Sequence, residues 1–559
     1  MGGSQALLSY RSFSEGRDKY CYEVPTTSVT TYLIRASFYM NAYELRDKQP
    51  FQFIVSVNAT NWFTISSGDV ENEYDLLIVQ EGLFYSPTQV MYICLQPVVG
   101  VPFISSLELR QLVIPMYPDI STGRQYLPLL FRYNLGAVLP TPSVRFPDDL
   151  FDRIWQTLDA EYDTLPSISR LRAPDNISGI RTDVNFVPPK VMQDAWLFPS
   201  PNDTVTFPLY PLDTTYSYKD QVTLNTAKEY VYAVVYAEDL NTSASAIPFF
   251  MNIALDSYPS GAVNFSHQAS MQVIPYFILS SDSISFSVSA PPGARTAPSI
   301  NAVELYAQFN FNFSTTTITD VVGITALKTI FALADWQGDP CSPKPHNWLA
   351  CYGNPQQGFG LGTIYSVTSI NISHVKSSGF SSLSNNLTAP SQFKLQTLEQ
   401  MIITNGGIDS RTFVFILNNF CPDLLSNLDL SYNAIDTIPP ETIWPQLQSL
   451  NLYQNLLSAD ILNAFQNIST LNILNLSYNS ISSPPTQWTW ASTLNVLDLS
   501  HNQLQSDILS SLDQLLSNQV AGLAGLAFSI VTTLMELYVS DNHLSGKFPT
   551  SLLNRLGVV

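Results

Sequence analysis

The residues that could carry chemistry are few. Three carboxylates crowd into Arg145-Phe-Pro-Asp148-Asp149-Leu-Phe151-Asp152-Arg153-Ile-Trp155. Hydrolysis of a glycosidic bond uses paired carboxylates, held at a fixed separation across a cleft. Adjacent Asp residues ahead of an apolar-periodic run more simply cap a helix. Asp148 or Asp149 would cap a short one, with Phe151, Ile154, Trp155 and Leu158 on one face. The five His (His267, His346, His374, His501 and His543) are scattered, and no C-x-x-C or H-E-x-x-H spacing occurs, so no metal or other cofactor is expected. Gly353-Asn-Pro-Gln-Gln-Gly358-Phe-Gly360-Leu-Gly362 lacks the Lys-Ser/Thr of a phosphate loop and reads as a hairpin. There is no nucleophile motif and no kinase signature such as V-A-I-K, H-R-D or D-F-G. The expectation is a chain without catalysis of its own.

Length and composition bound the alternatives. A chain of 559 residues exceeds one core, so three or four domains are expected. Charged residues make up only 13%, about half the usual share, with Ser, Thr, Asn and aromatics in their place. Acidic residues outnumber basic ones 45 to 25, a net charge of −20 that would repel nucleic acid or an anionic lipid surface and otherwise serves solubility. Ten Asn-x-Ser/Thr sequons are spread over the chain, at Asn58, Asn176, Asn202, Asn241, Asn264, Asn312, Asn371, Asn386, Asn467 and Asn475. They favour a secreted, glycosylated protein with disulfides. Met-Gly-Gly-Ser-Gln-Ala6 is neither a signal peptide nor a myristoylation site, and the chain is expected to be a fragment.

Two patterns position these residues. The first half is strand-like: Tyr32 to Val57 reads as two strands around a turn, with Phe51, Phe53, Val55 and Val57 alternating with Gln52, Ile54 and Ser56. Further strands are expected at 75–80, 90–96 and 106–115, the spacing of a β-sandwich. In the second half Leu and Asn recur. Leu428-Asp-Leu430-Ser-Tyr-Asn433, Leu450-Asn-Leu452-Tyr-Gln-Asn455, Leu474-Asn-Leu476-Ser-Tyr-Asn479, Leu497-Asp-Leu499-Ser-His-Asn502 and Leu537-Tyr-Val539-Ser-Asp-Asn542 place their Asn 22, 24, 23 and 40 residues apart. The first three intervals fit leucine-rich repeats. Leu would fill the interior, Asn would bond the turns, and function would sit on the varying strand positions. Degenerate earlier repeats are expected at Leu398–Ile408, with Gly406 in the Asn position, and at Val367–Ile372. The apolar window 520–531 is expected to be an irregular insert rather than a membrane span, because Asn518 and Gln519 precede it and Glu536 follows. Between the halves, Cys341 and Cys351 stand ten apart in Trp336-Gln-Gly-Asp-Pro-Cys341-Ser-Pro-Lys-Pro-His-Asn-Trp348-Leu-Ala-Cys351, a stapled plug for the open end of the repeats. An ordinary Cys pair in a Pro-rich loop is the alternative. Cys421 has no obvious partner.

That last segment resembles the signature preceding the leucine-rich repeats of plant malectin-like receptor kinases. The resemblance extends over the first half, at Tyr10-Arg-Ser-Phe, Cys21-Tyr22, Tyr32-Leu-Ile-Arg-Ala-Ser-Phe-Tyr, Pro102-Phe-Ile-Ser-Ser-Leu-Glu-Leu-Arg110, the Arg145–Trp155 motif, Asn185-Phe-Val-Pro-Pro-Lys-Val-Met192, Tyr230–Glu238 and Pro298–Tyr306. It implies a mainly β chain: two malectin-like β-sandwiches followed by a short α/β leucine-rich-repeat solenoid. The expected boundaries are 1–138, truncated at its start, 139–316, a cap at 317–365, and repeats at 366–559 with an irregular insert about 508–533. It places Cys21 and Cys94 at half-cystine positions; a bond between them would close a loop of about 70 residues and stabilise by roughly 3–5 kcal/mol. Most aromatics of a sandwich are core, but Tyr39, Tyr43, Trp62 and Phe63 lie near expected loop edges and are the candidate ligand contacts. The implied function is extracellular recognition of a glycan or peptide ligand, with a possible co-receptor kinase, at the outer face of the plasma membrane. Any membrane span would lie outside this chain. A secreted carbohydrate-binding or inhibitor-like protein without a kinase is the alternative.

Overall fold

A computed structural model describes residues 9–548, apart from short loop positions and the stretches 118–124, 138–142, 158–168, 173–185, 199–203, 210–229, 238–248, 276–283, 290–298, 356–361, 374–393, 439–443, 485–492 and 512–533. The chain forms two compact units. One comprises Met1–Gly16 with Cys21–Asn312, the other Arg17–Tyr20 with Phe313–Val559.

The first unit is built on one long sheet. Its strands run in the order Ser270–Pro275, Tyr230–Ala237, Ala302–Asn310, Gln125–Asn134, Leu76–Ser86, Thr30–Met40 and Ser106–Gln111, with Gln156–Thr157 added beside Gln125–Asn134. Residues on both sides of position 138 therefore share a sheet. A four-stranded sheet ordered Tyr20–Pro25, Val90–Val99, Gln52–Val57, Thr60–Ser66 and another ordered Thr204–Leu209, Ile284–Ser289, Phe249–Leu255, Tyr258–Phe265 complete the β layers. The alternation in Phe51–Val57 is realised, with Phe51, Phe53, Val55 and Val57 all buried. Thr30–Met40 and Gln52–Val57 do not pair as a hairpin. They belong to different sheets, and the helix Ala42–Asp47 makes the crossing. Phe38, Phe53, Phe63 and Phe103 meet between the layers, with ring centroids 5.7–6.1 Å apart for the pairs Phe38–Phe53, Phe38–Phe63, Phe38–Phe103 and Phe53–Phe103. Cys21 and Cys94 are joined in a disulfide between neighbouring strands.

The second unit is a stack of short parallel strands, each repeat laying one rung on the last. The rungs are Thr315–Thr316, Thr363–Ser373, Gln400–Thr404, Asn427–Asp429, Ser449–Asn451, Ile473–Asn475, Val496–Asp498 and Glu536–Tyr538. Leu349–Pro355 pairs antiparallel with Thr363–Ser373, the hairpin expected around the glycine-rich stretch. Both degenerate repeats form rungs. The 40-residue interval adds none, because Val496–Asp498 pairs directly with Glu536–Tyr538; the apolar window and Cys421 lie outside the described residues. No described helix is long and apolar enough to cross a membrane.

The cap explains its own motif. Asp339 of Gly-Asp-Pro-Cys accepts hydrogen bonds from the backbone N–H of Thr316 (2.9 Å), Cys341 (3.0 Å) and Ser342 (2.8 Å). It thereby holds the loop closed by the Cys341–Cys351 disulfide. Lys19, buried in the same unit, donates to the carbonyls of Asp339 (2.6 Å), Ser342 (2.8 Å) and Lys344 (2.6 Å). The helix Ile318–Ile330, capped by Thr317, carries Ile324, Leu327 and Ile330 into the solenoid core.

Asparagine links the rungs. The Asn455 amide donates to Leu430 O (3.0 Å) in the preceding repeat and to Leu452 O (3.1 Å) in its own, while its Oδ1 accepts from Ile435 N (3.1 Å). Asn433, Asn479, Asn502 and Asn542 repeat the arrangement. Each carboxamide thus satisfies backbone groups that the turn leaves without a sheet partner. Asn455→Ala strands those groups, and the unfolding free energy of the solenoid should fall by about 2–4 kcal/mol in a urea titration. Tyr432→Ala, on the surface of the preceding repeat, should change it by less than about 1 kcal/mol.

Candidate functional site

The carboxylates of the Arg145–Trp155 segment do not form an acid–base pair. No helix forms there: residues 147–151 turn, and Val144 bridges Trp155. Asp149, which could have capped a helix, is consumed in another way. Its Oδ2 accepts from Arg153 Nε (2.9 Å) and Trp155 Nε1 (2.8 Å), and its Oδ1 from Phe151 N. Asp152 takes Arg145 at 2.9 Å and Arg35 at 3.2 Å.

These side chains join a larger buried network laid out by strand register. Arg35 stands opposite Glu81, and Arg132 opposite Glu304. Arg35 pairs with Glu81 at 2.7 Å and Arg132 with Glu81 at 2.7 Å, while Arg132 also pairs with Glu304. The hydroxyls of Tyr117 and Tyr236 donate to Glu304 Oε2, each at 2.9 Å. Burial pushes the Tyr117 phenol up to about 12, with the Glu304 charge adding to it. Burial also pushes Glu81 upward, but the guanidiniums of Arg132 and Arg35 outweigh it and hold the carboxyl below its usual range. Arg35, Glu81, Arg132, Glu304, Asp149 and Arg153 are matched and buried, with Arg145 at the edge reaching solvent, so the network stabilises and orders the sheet rather than presenting a carboxylate pair across a cleft.

The four candidate contacts separate. Trp62 and Phe63 are core: Trp62 packs edge-on against Phe84 at 5.0 Å and Phe63 against Phe38 at 5.9 Å. The strand Thr60–Ser66 has packing on both faces, so neither ring is offered to a ligand. Tyr43 is 76% exposed on its helix. Tyr39 is half-buried; its hydroxyl donates to Asp75 at 2.9 Å, which holds the phenol above its usual value. Tyr39 lies opposite the exposed Leu77.

The solenoid presents a more extended surface. Strand positions flanking the inward Leu of each rung, buried in all but the half-buried Leu537, carry Asn427 and Asp429, Ser449 and Asn451, Ile473 and Asn475, Val496 and Asp498, then Glu536 and Tyr538. Beside them runs an aromatic row: Tyr432 meets Tyr453 at 5.0 Å, Tyr453 meets Tyr478 at 5.0 Å, and Tyr478 stacks on His501 at 3.9 Å. His501 Nε2 reaches Asp541 at 3.1 Å. Tyr432, Tyr478, His501 and Asp541 all precede a ladder Asn and have φ of 49–60°. That left-handed backbone costs about 1 kcal/mol per residue and is held by the Asn bonds on its C-terminal side. A hydrogen bond to Tyr432 holds the Tyr453 phenol above its usual value, and the charge of Asp498 adds to it. The row was open to sequence reading, since its residues recur beside the ladder Asn; aligning the repeats by that Asn brings Tyr432, Tyr478 and His501 into one column.

Asn475 lies on this face, its Oδ1 accepting from Ser477. Asn371 is exposed beside Trp348, lining a cavity of about 350 Å³. Asn312 is exposed, Asn58 accepts from Tyr92 N at 2.8 Å, and Asn264 is in a strand. Asn176, Asn202, Asn241, Asn386 and Asn467 lie outside the described residues. No metal-ligating cluster occurs among the described residues.

A malectin-like domain model matches residues 3–308, more than half of the chain, and leucine-rich-repeat models match 423–481, 493–515 and 533–554. The chain belongs to the malectin-like family. A probable leucine-rich-repeat receptor-like serine/threonine-protein kinase of Arabidopsis thaliana is 25% identical over 358 residues, covering 61% of this chain and 36% of the relative. The nodulation receptor kinase of Pisum sativum is 27% identical over 356 residues, covering 62% and 35%. The malectin-like chain thus spans little more than a third of those relatives. Among solved structures, the ANXUR1 extracellular domain of Arabidopsis thaliana aligns at a TM-score of 0.41 and 15% identity, covering 55% of this chain and 84% of that one. A plant complex of the peptide RALF23 with FER and LLG2 aligns at 0.39 and 14%, covering 54% and 83%. The domains matched here are those of receptor ectodomains, and the kinase of the named relatives has no counterpart among them.

Two outcomes follow for the malectin-like unit. Glu304→Gln leaves Arg132 buried with half its compensation and should lower stability by about 3–5 kcal/mol in a urea titration. Burial raises the Asp152 carboxyl, but hydrogen bonds from Arg145 and Phe146 N and the charge of Arg35 outweigh it and bring it down to about 2. A depressed carboxylate stabilises the fold above its unfolded value and loses that contribution as pH falls through its folded one. The unfolding free energy should therefore fall between about pH 4 and pH 2, and Arg145→Ala should reduce the size of that fall.

Proposed function

We propose that this chain is the extracellular ligand-recognition region of a malectin-like leucine-rich-repeat receptor kinase, binding a glycan or peptide, with or without a co-receptor, and performing no catalysis. The observation that carries this reading is the row Tyr432–Tyr453–Tyr478–His501. It is laid along a rigid repeat scaffold and fills no core. The Leu and Asn positions of the repeats do the folding, so the row is available for contact. Aromatic rings offer large area at little entropic cost, and the Asp and Asn side chains beside them supply directional hydrogen bonds. Tyr39 and Tyr43, with Leu77, form a second contact patch on the malectin-like unit.

The two disulfides suit an oxidising, extracellular setting, and the ten sequons are taken as glycan acceptors there. The purified chain should retain ligands from a combined glycan and peptide array, and Tyr453→Ala with Tyr478→Ala should weaken that retention at least tenfold while leaving the circular dichroism unchanged. Retention indifferent to the double variant would overturn the assignment of the face. Turnover of any arrayed compound would overturn the non-catalytic reading.

A further inference from the structure

Resting on that recognition reading, we infer that the aromatic face of the solenoid takes a cationic peptide segment, extended across the rungs, with a basic side chain seated at Asp498. The strand positions facing outward from Asn427 to Tyr538 include the carboxylates Asp429, Asp498 and Glu536 and no Lys or Arg. Asp541 stands at the same end, paired with His501. The carboxylates are therefore not neutralised by bases of their own face.

Their hydrogen bonds distinguish them. Asp429 is occupied at both oxygens, by Ser431 N at 2.9 Å and by Asn451 Nδ2 at 2.9 Å. Asp498 uses Oδ1 alone, accepting from Ser500 N at 2.9 Å and Ser500 Oγ at 2.6 Å. Its Oδ2 takes no hydrogen bond among the described residues. Tyr538 lies on the next rung, opposite Asp498 in register, with its hydroxyl donating to Glu536 at 2.9 Å. Tyr453 is close enough for its phenol to feel the Asp498 charge. A carboxylate with a spare oxygen, flanked in register by Asn475 and by the Tyr538 ring, suits a guanidinium or ammonium, which gains a charge-assisted hydrogen bond and a cation–π contact together.

The repeat fixes the ligand's spacing. Asp429 and Asp498 stand three rungs apart, roughly 14 Å at a strand separation of about 4.8 Å. An extended peptide covers that distance in about four residues. The fitting ligand carries one basic residue for the spare oxygen of Asp498 and a second four residues away, attracted by the charge of Asp429 rather than by a free oxygen, with intervening side chains on the Tyr453–Tyr478 pair. A neutral oligosaccharide would use the same rings but would leave the carboxylates without counter-charge.

The test uses the whole chain, enzymatically deglycosylated so that a glycan on Asn475 cannot cover the face. Three probes are measured by calorimetry: a ten-residue Gly/Ser/Tyr peptide with two Arg four apart, the same peptide with Gln for Arg, and cellohexaose. The Arg peptide should bind at least tenfold more tightly than the Gln peptide. Asp498→Asn, which preserves the Oδ1 acceptor for Ser500, should remove that preference, as should 0.5 M salt. An Arg peptide bound no better than the Gln peptide, or a preference untouched by Asp498→Asn, overturns the inference. If cellohexaose alone binds and the Tyr453/Tyr478 double variant abolishes it, the cationic ligand falls while the recognition face stands. If no probe binds, the cationic inference falls, and the array decides the recognition reading separately.

Discussion

A polar group taken out of water must find its partner inside the fold, and both units of this chain are arranged around that requirement. In the malectin-like unit the groups are charges. Arg132 and Glu304 are fully buried on adjacent strands, and Arg35 and Glu81 repeat the pairing two strands away. Slipping either pairing by one residue would turn a guanidinium to the opposite face of the sheet and leave a carboxylate uncompensated. The network therefore specifies register more strongly than apolar packing would, because a hydrophobic slip costs area whereas an ionic slip costs an unpaired buried charge. The Arg145–Trp155 segment belongs to the same account: Asp149 and Asp152 close the valences that Arg153 and Arg35 leave open.

In the solenoid the groups are backbone N–H and C=O, and asparagine meets them. Because each carboxamide reaches one repeat back, a repeat is stable only beside its neighbour. The interval between Asn502 and Asn542 illustrates the rule. Nearly twice the usual length of chain separates them, yet Asn542 still donates to Leu499 O at 2.9 Å and accepts from Leu504 N at 2.9 Å. The ladder counts rungs, not residues, so an insertion can loop out between two rungs without breaking it. At the other end Asp339 does for the cap what asparagine does for the repeats.

The legible parts of the sequence were those with short-range rules. The Leu and Asn spacing placed every later rung, and the half-cystines paired as the family resemblance implied. What was not legible depended on partners far along the chain. Nothing near Phe51 says that its strand lies in a different sheet from Thr30–Met40. Trp62 and Phe63 looked like edge residues because burial on both faces of their strand is produced by Phe84 and Phe38, remote in sequence. The helix expected after Asp149 failed because its carboxylate is claimed by Arg153 and Trp155. Local capping was outcompeted by charge-assisted bonds to buried partners. The aromatic row, by contrast, is visible in the sequence but is embedded in the fold-specifying repeat, where its residues read as part of the scaffold.

The same distinction bears on the net charge. Read as a total, −20 suggests solubility alone. Read by position, the carboxylates divide into two populations. Glu81, Glu304, Asp149 and Asp152 are cancelled by arginine and contribute little field outside the protein. Asp429, Asp498 and Glu536 stand in rows on the solenoid with no base among them, and rows of one sign raise the local concentration of opposite charge in the solvent above them. Folding consumes the first population; of the second it takes both oxygens of Asp429 but only Oδ1 of Asp498. A face whose rings and spare carboxylate oxygen the fold does not require is where selection is free to act on recognition.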